Sequence, residues 1–234
     1  MLINLLKGFV DSGVDLDLLR IRAEGPFAGQ VPSEVNTIDF SAAHAMTSIL
    51  PLARYLRQSK PQAVLAVKDR AGRAALLSRS LSRSNARVVI RLGTNLSASL
   101  QGKNLVSKWL RYGPQRLLYP LCDDVVAVSS GVAQDTMRLT GLPQERVHVV
   151  PNPVVTPMLH KLAREDPGHP WLSDSSTPVI LAAGRLTRQK DFSTLIQAVQ
   201  RVHSRTPVRL IILGEGKERE RLERLIAQVG LKGK

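Results

Sequence analysis

Residues 178–219 read PVILAAGRLTRQKDFSTLIQAVQRVHSRTPVRLIILGEGKER, and this stretch decides the fold. Two short apolar runs, Val179–Ala183 and Val208–Leu213, predict buried strands. The segment between them has apolar residues at helical spacing, namely Leu195, Ile196, Val199 and Val202. Asp191 is expected at the N-cap of this helix, and a second, charged helix is expected from about Lys217. Strand, loop, helix, strand, loop and helix in this order predict a βαβ unit with parallel strands.

Both strands of this unit are followed by polar loops at their carboxyl ends, where open α/β sheets bind ligands. Arg185 and Lys190 lie in the first loop, beside a helix N-terminus that favours anions. The two cations could be ordinary solvated charges of a basic loop. Their position directly after a strand favours a phosphate ligand.

The same residues resemble the start of the second domain of nucleotide-sugar glycosyltransferases of family 4. The resemblance is carried by Gly184-Arg185-Leu186, Lys190-Asp191 and Gly214-x-Gly216-x-x-Arg219. It implies the α/β GT-B fold, in which two Rossmann-like domains face each other across a cleft. It also implies retaining transfer of a hexosyl group from a nucleotide diphosphate sugar.

Within that resemblance, Arg185 and Lys190 would hold the donor diphosphate, next to glycine loops at Gly184, Gly214 and Gly216. We expect no cofactor. We also expect no metal, because Asp123 and Asp124 are adjacent and are not separated as in a metal-binding D-x-D motif.

A second match lies in residues 125–154, VVAVSSGVAQDTMRLTGLPQERVHVVPNPV. This run resembles the last part of the family's first domain, where a strand, a serine-headed helix and an Asn-Pro exit recur. It predicts a strand over Asp124–Val128, a helix ending near Leu139 and a strand over Arg146–Val150. The candidates that would line the cleft are Ser129, Ser130, Gly131 and Asn152.

The domain organisation expected from these matches has three parts. Residues 1–153 form an acceptor-side Rossmann-like domain, residues 154–177 a linker rich in Pro, Ser and charge, and residues 178–234 the start of the nucleotide-sugar domain. The first part is predicted to contain helices over 2–12, Thr47–Ser59 and Ala71–Leu81, and strands over Val14–Ile21, Val35–Phe40, Ala63–Val67 and Arg87–Leu92.

The loops after the last two of these strands provide the acceptor-side candidates, which are Asp69, Arg91, Thr94 and Asn95. Neither loop contains a histidine, which the family often places there, so the catalytic group is unassigned. Asp69 could be a base or a hydrogen-bond anchor, but an ion pair with Arg70 or Arg73 is favoured.

The net charge of +14 is concentrated in one region. Residues 54–116 contain 14 Lys and Arg and a single acid, Asp69, which indicates an anionic partner. Residues 102–121 are basic and aromatic, and they predict a helix that is broken or kinked at Gly113-Pro114. Either this helix docks on the domain core or it contacts a membrane, in which case residues 54–121 would face the anionic surface.

Other sequence features indicate the cellular compartment and how much of the family's sequence this chain contains. A single cysteine, Cys122, excludes an internal disulfide, and the N-terminal apolar run is too short for a secretory signal. We expect a cytoplasmic protein, and a peripheral position at the inner face of the membrane is compatible with the basic region. The family's opening strand with its glycine loop and its later E-x(7)-E motif are both absent, so we expect a fragment that is inactive by itself.

Two other function classes fit part of the sequence. The basic region could belong to a non-catalytic protein that binds anions or nucleic acid, but aromatic content is 4% and no helix-turn-helix, zinc or RNP motif is visible. We therefore expect no nucleic acid partner. The remaining alternative is another GT-B enzyme, such as a sugar-nucleotide epimerase or a phosphorylase. The favoured hypothesis is a glycosyltransferase of polysaccharide biosynthesis with a nucleotide-sugar donor and an anionic or lipid-linked acceptor.

Overall fold

The computed structural model describes residues 1–21, 27–97 and 105–233, with the backbone alone for residues 105–111. The chain forms two compact units, Met1–Pro157 (unit 1) and Met158–Lys234 (unit 2). The described strands pair in parallel throughout, so the α/β fold class is confirmed. None of the described helices is long and apolar enough to cross a lipid bilayer.

Unit 1 contains two parallel sheets. A pair is formed by β1 (Asp17–Arg20) and β2 (Asn36–Asp39). A four-stranded sheet follows in the order β3 (Ala63–Val67), β4 (Arg87–Leu92), β5 (Asp124–Ala127) and β6 (Val147–Val149). Val67 pairs with Arg91, and Arg91 pairs with Val126. This register brings the carboxyl ends of β3, β4 and β5 to one edge of the sheet.

The helices of unit 1 cover these strands. They are α1 (Leu2–Asp11), α2 (Ile49–Ser59), α3 (Asp69–Ser82), α4 (Leu105–Leu118) and α5 (Ser130–Thr140). Helix α3 begins two residues before the predicted Ala71, so Asp69 lies in its first turn rather than in a loop. An acidic residue in this position is favourable because the helix dipole is positive there.

Helix α4 continues through Pro114, so a break at Gly113-Pro114, one of the two predicted alternatives, is wrong. A proline inside a helix costs about 3 kcal/mol through the missing N–H and a steric clash. Burial of the residues that follow offsets this cost, since Gln115 is 4% exposed and Tyr119 is fully buried. Residues 102–104 of the predicted helix lie outside the described residues.

The core of unit 1 is built from β4, β5 and the helices packed on them. Its most buried members are Leu56, Leu76, Val88, Ile90, Tyr119 and Val125. Helix α3 packs closely on β4 at Gly72, where a Cβ would lie 2.8 Å from Ile90. This close packing fixes the start of α3 beside the carboxyl end of β4.

Unit 2 is the predicted βαβ unit with a second helix. It consists of β7 (Val179–Ala183), α8 (Phe192–His203), β8 (Arg209–Leu213) and α9 (Arg219–Gln228). The buried face of α8 is formed by Phe192, Ile196 and Val199. Val202, which was predicted on this face, is 45% exposed. The buried stripe of α8 instead begins at Phe192, in the first turn of the helix.

The segment between β6 and β7 contains two short helices, α6 (Pro157–Leu162) and α7 (Pro170–Ser173). The indole ring of Trp171 in α7 packs against the guanidinium of Arg209, 5.5 Å from the ring centroid. Arg209 also donates to Asp174 at 2.8 Å. Residues 171–174 are thereby attached to the first residue of β8.

Candidate functional site

The loop after β7 carries the predicted diphosphate ligands. Residues Arg188–Lys190 form a single 3-10 turn, which brings the side chain of Lys190 back over the end of β7. Its Cδ and Cε atoms lie 3.6 Å from the point that a Cβ on Gly184 would occupy. Arg185 directly follows Gly184 and is exposed. The turn therefore places Lys190 at the carboxyl end of the strand that presents Arg185.

The two glycines after β8 allow this loop and the next one to touch through their backbones. A Cβ on Gly214 would lie 1.9 Å from the carbonyl oxygen of Gly184. A Cβ on Gly216 would lie 2.3 Å from the carbonyl oxygen of Leu186. Three hydrogen bonds join the loops: Gly184 N donates to Leu213 O at 2.9 Å, Leu186 N to Glu215 O at 2.8 Å, and Glu218 N to Leu186 O at 3.1 Å. We call this arrangement the interlocked loops.

The carboxylates of the interlocked loops already have partners. Glu215 pairs with Arg219, Glu218 pairs with Arg221 at 2.5 Å, and Asp191 accepts from the Thr194 hydroxyl at 2.8 Å. Asp191 occupies the predicted N-cap position of α8, but its carboxylate accepts no backbone N–H there. The cations Arg185, Arg188 and Lys190 are exposed and have no ion pair among residues 1–21, 27–97 and 105–233. This end of unit 2 is therefore suited to bind an anion.

A small cavity lies beside the same loop, at the start of α8. Its lining residues are Thr187, Arg188, Asp191, Phe192, Ser193, Glu218, Arg221 and Leu222. Arg185 and Lys190 do not line it. The charges of its acidic and basic residues balance. The cavity should therefore attract an anion less strongly than the exposed cations do.

In unit 1, the structure joins two of the predicted candidates, Arg91 and Asn152. Arg91 is 8% exposed at the carboxyl end of β4, and its guanidinium donates from Nη2 to Oδ1 of Asn152. Burial lowers the pKa of this guanidinium. The candidates Thr94 and Asn95 are exposed in the loop that follows.

That loop is held by a residue that the sequence patterns did not identify. The amide of Ser97 donates to the buried carboxylate of Asp135 at 2.9 Å, and Arg138 donates to the same carboxylate at 2.8 Å. Burial alone would raise the pKa of Asp135, but these hydrogen bonds outweigh it and the pKa is lowered. No motif signals this contact, because Asp135 reads as an ordinary polar position of α5.

Asp69 has a fully occupied carboxylate. It accepts hydrogen bonds from Arg73 at 3.0 Å, from the Gln115 amide at 3.0 Å and from the Tyr119 hydroxyl at 3.1 Å. Burial and the nearby Asp69 raise the pKa of Tyr119, so its hydroxyl remains a neutral donor. The ion pair with Arg73 is the alternative that the sequence favoured, while Gln115 and Tyr119 were not anticipated as its partners.

The serine-headed helix α5 starts as expected. Ser129 is the N-cap and its hydroxyl accepts from the amide of Val132 at 3.3 Å, with Ser130 and Gly131 in the first turn. The structure describes no contact between these residues and Arg91.

The other potentially reactive groups of unit 1 are either buried or bound to neighbouring residues. Cys122 is buried, and burial raises the pKa of its thiol to about 11. Asp123 binds Arg79 at 2.6 Å and the amide of Val88 at 2.7 Å, and Asp124 binds His148 at 2.9 Å. Across the described ranges no group of three or more His, Cys, Asp or Glu could hold a metal ion.

Comparison with known proteins covers nearly the whole chain. Residues 1–156 match the family described as Glycosyltransferase Family 4, and residues 168–234 match the family described as Glycosyl transferases group 1. A similar curated protein is the N-acetylgalactosamine-N,N'-diacetylbacillosaminyl-diphospho-undecaprenol 4-alpha-N-acetylgalactosaminyltransferase of Campylobacter jejuni. It is 30% identical over 163 residues, which cover 68% of this chain and 41% of that protein.

Two solved structures are similar in fold. One is HepE of Anabaena in complex with UDP, with a TM-score of 0.69 and 17% identity over 99% of this chain and 62% of that one. The other is the apo form of the lipopolysaccharide outer core galactosyltransferase WaaB, with a TM-score of 0.65 and 17% identity over 99% of this chain and 60% of that one. The chain thus spans less than two thirds of the length of each of these three proteins.

Proposed function

This chain belongs to glycosyltransferase family 4, and from that premise we propose that the protein transfers a hexosyl group, with retention, from a nucleotide diphosphate sugar to an acceptor. The observation that carries the proposal is the group of exposed cations on the loop after β7, Arg185, Arg188 and Lys190, which make no ion pair with a described residue. They stand at the carboxyl end of a parallel strand, where α/β sheets bind ligands. The HepE structure, which is similar in fold, is a complex with UDP, and this supports a nucleotide diphosphate as the ligand.

In this proposal Arg185 and Lys190 stabilise the negative charge that develops on the leaving diphosphate. Fixed cations aimed at a developing charge lower the barrier because they need no reorganisation during the reaction. This is the role that a metal ion takes in other transferases, so the reaction would need neither a metal nor another cofactor.

For the acceptor, we propose a lipid-linked or polysaccharide intermediate. Two findings support this class. The similar Campylobacter protein is named for a diphospho-undecaprenol substrate, and WaaB is named for the lipopolysaccharide outer core. The basic region of unit 1 would attract an anionic acceptor of this kind.

The donor site is tested with Lys190→Ala. The side chain would lose its charge-assisted contact with the diphosphate, so UDP or GDP should bind about 10- to 100-fold more weakly. Isothermal titration calorimetry with each nucleotide measures this change.

Lys161→Ala is the matched control, because it removes an equally exposed lysine from α6 without touching the interlocked loops. It should leave the nucleotide affinity unchanged. If Lys190→Ala and Lys161→Ala bind UDP and GDP as tightly as the wild type, the donor-site proposal is wrong.

We also propose that unit 1 binds peripherally to an anionic membrane at the cytoplasmic side. Seven cations of residues 54–121 are exposed and make no ion pair with a described residue: Arg54, Arg57, Lys60, Lys68, Arg70, Arg83 and Arg116. Leu117 is 77% exposed beside Arg116, so an apolar contact is available next to the charges.

The expected result is co-sedimentation with vesicles that contain phosphatidylglycerol and none with pure phosphatidylcholine vesicles. Screening should release the protein at high salt, because the attraction acts between exposed charges. Equal sedimentation with both kinds of vesicle, or none with either, would contradict a charge-driven membrane contact.

A further inference from the structure

We propose that Arg91 and Asn152 form an anion-binding pair that holds a phosphate group of a substrate. This inference rests on the transferase function proposed above, in which the donor carries a diphosphate. It adds a phosphate contact on unit 1 to those proposed for Arg185 and Lys190 on unit 2.

The first observation is that Arg91 is a buried cation that has no counter-charge among the described residues. It is 8% exposed, and it makes no ion pair with any residue that the structure describes. Asp69, which follows the neighbouring strand β3, is already engaged by Arg73, Gln115 and Tyr119.

Keeping a charge buried without a counter-charge costs free energy. The lowered pKa of Arg91 has the same cause, namely loss of solvation. A sequence that needed only packing at this position would be more stable with an apolar residue of similar length. The charge is therefore expected to have a partner that arrives from solution.

The second observation is the direction of the guanidinium. Arg91 lies at the end of β4 and Asn152 lies beyond β6, while β5 runs between them. The side chain thus reaches across the carboxyl end of β5. A Cβ on Gly93 would lie only 2.7 Å from Nη1, so a larger residue there would collide with the guanidinium.

These features fit a phosphate group. Asn152 fixes Nη2 through one hydrogen bond, and the planar fork of the guanidinium can then face two phosphate oxygens. The exposed Lys68 follows the adjacent strand β3, and its amide donates to the carbonyl of Arg91 at 2.9 Å. The positive end of α3 begins at the next residue and adds to the attraction for an anion.

The test uses Arg91→Met, which keeps the length of the side chain and removes its charge. Inorganic pyrophosphate is titrated calorimetrically into the wild type and the variant, each with and without saturating UDP. We expect the variant to bind pyrophosphate about tenfold more weakly than the wild type does, because it loses a charge-assisted contact. Arg87→Met is the matched control, since Arg87 lies at the amino end of the same strand and pairs with Asp124.

The two UDP conditions distinguish the sources of the phosphate. If binding that depends on Arg91 persists with saturating UDP, the pair holds an acceptor phosphate. If it disappears with UDP, the pair holds the donor diphosphate. Either result supports the proposal.

Equal pyrophosphate affinity in Arg91→Met, Arg87→Met and the wild type would overturn it. Should Arg91→Met not fold, Asn152→Ala replaces it, because Asn152 is exposed outside the strands and an unchanged affinity there has the same meaning. A failure of the proposed function appears elsewhere, as a UDP affinity that Lys190→Ala does not alter.

Discussion

Replacing Gly214 with alanine is expected to lower the free energy of unfolding of unit 2 by about 3 kcal/mol or more. The new Cβ would lie 1.9 Å from the carbonyl oxygen of Gly184, which is backbone and cannot rotate away. Relief of the clash would separate the interlocked loops and break hydrogen bonds such as that from Leu186 N to Glu215 O. Urea unfolding followed by the fluorescence of Trp171, in a Trp109→Phe background, measures the change in unit 2.

Gly184→Ala is the matched control for this prediction. Its Cβ would meet Phe192 and Lys190 at 3.5–3.6 Å, which is ordinary van der Waals contact. Its stability should stay within about 0.5 kcal/mol of the wild type. If the two variants unfold at the same urea concentration as the wild type, the close approach of the loops does not exist in solution.

Asp69→Ala is expected to destabilise unit 1 by about 3 kcal/mol. The substitution removes the shared acceptor of Arg73, Gln115 and Tyr119. Tyr119 is fully buried and Gln115 nearly so, so neither donor can turn to water without moving α4. Urea unfolding followed by far-UV circular dichroism reports this loss.

Tyr119→Phe tests the loss of one donor while the acceptor Asp69 is kept. It deletes one hydroxyl and leaves Asp69 with two partners, so it should cost about 1 kcal/mol. The double variant should cost less than the sum of the single variants, because the two residues share one hydrogen bond. An Asp69→Ala variant that is no less stable than Tyr119→Phe would show that the carboxylate does not hold α4.

The strands of this protein could be predicted from local pattern because they are short apolar runs between turn residues, although β7 and β3 are less buried than the pattern predicted. Val179–Ala183, Ala63–Val67 and Arg87–Leu92 were located to the residue, and the neighbouring Pro and Gly set their limits. The family resemblance rested on the same loops. Its prediction of a GT-B-type α/β protein agrees with the observed fold.

Contacts between distant residues could not be predicted in this way. The pairing of Arg91 with Asn152 spans 61 positions, and that of Asp69 with Tyr119 spans 50. Nothing in the spacing of these residues signals the contact, because it depends on strand order and on the packing of α4. The continuation of α4 through Pro114 was missed for the same reason, since tertiary burial outweighs a local helix preference.

The interlocked loops also limit how this protein can change its ligand. Surface loops usually accept insertions freely. Here an added residue after β7 would displace Leu186, which both accepts from Glu218 and donates to Glu215. The loop after β8 would then have to change its length as well. A new ligand preference would therefore have to arise from exchanges of side chains on these loops. Their backbone hydrogen bonds are formed before any ligand arrives, which lowers the conformational entropy lost on binding.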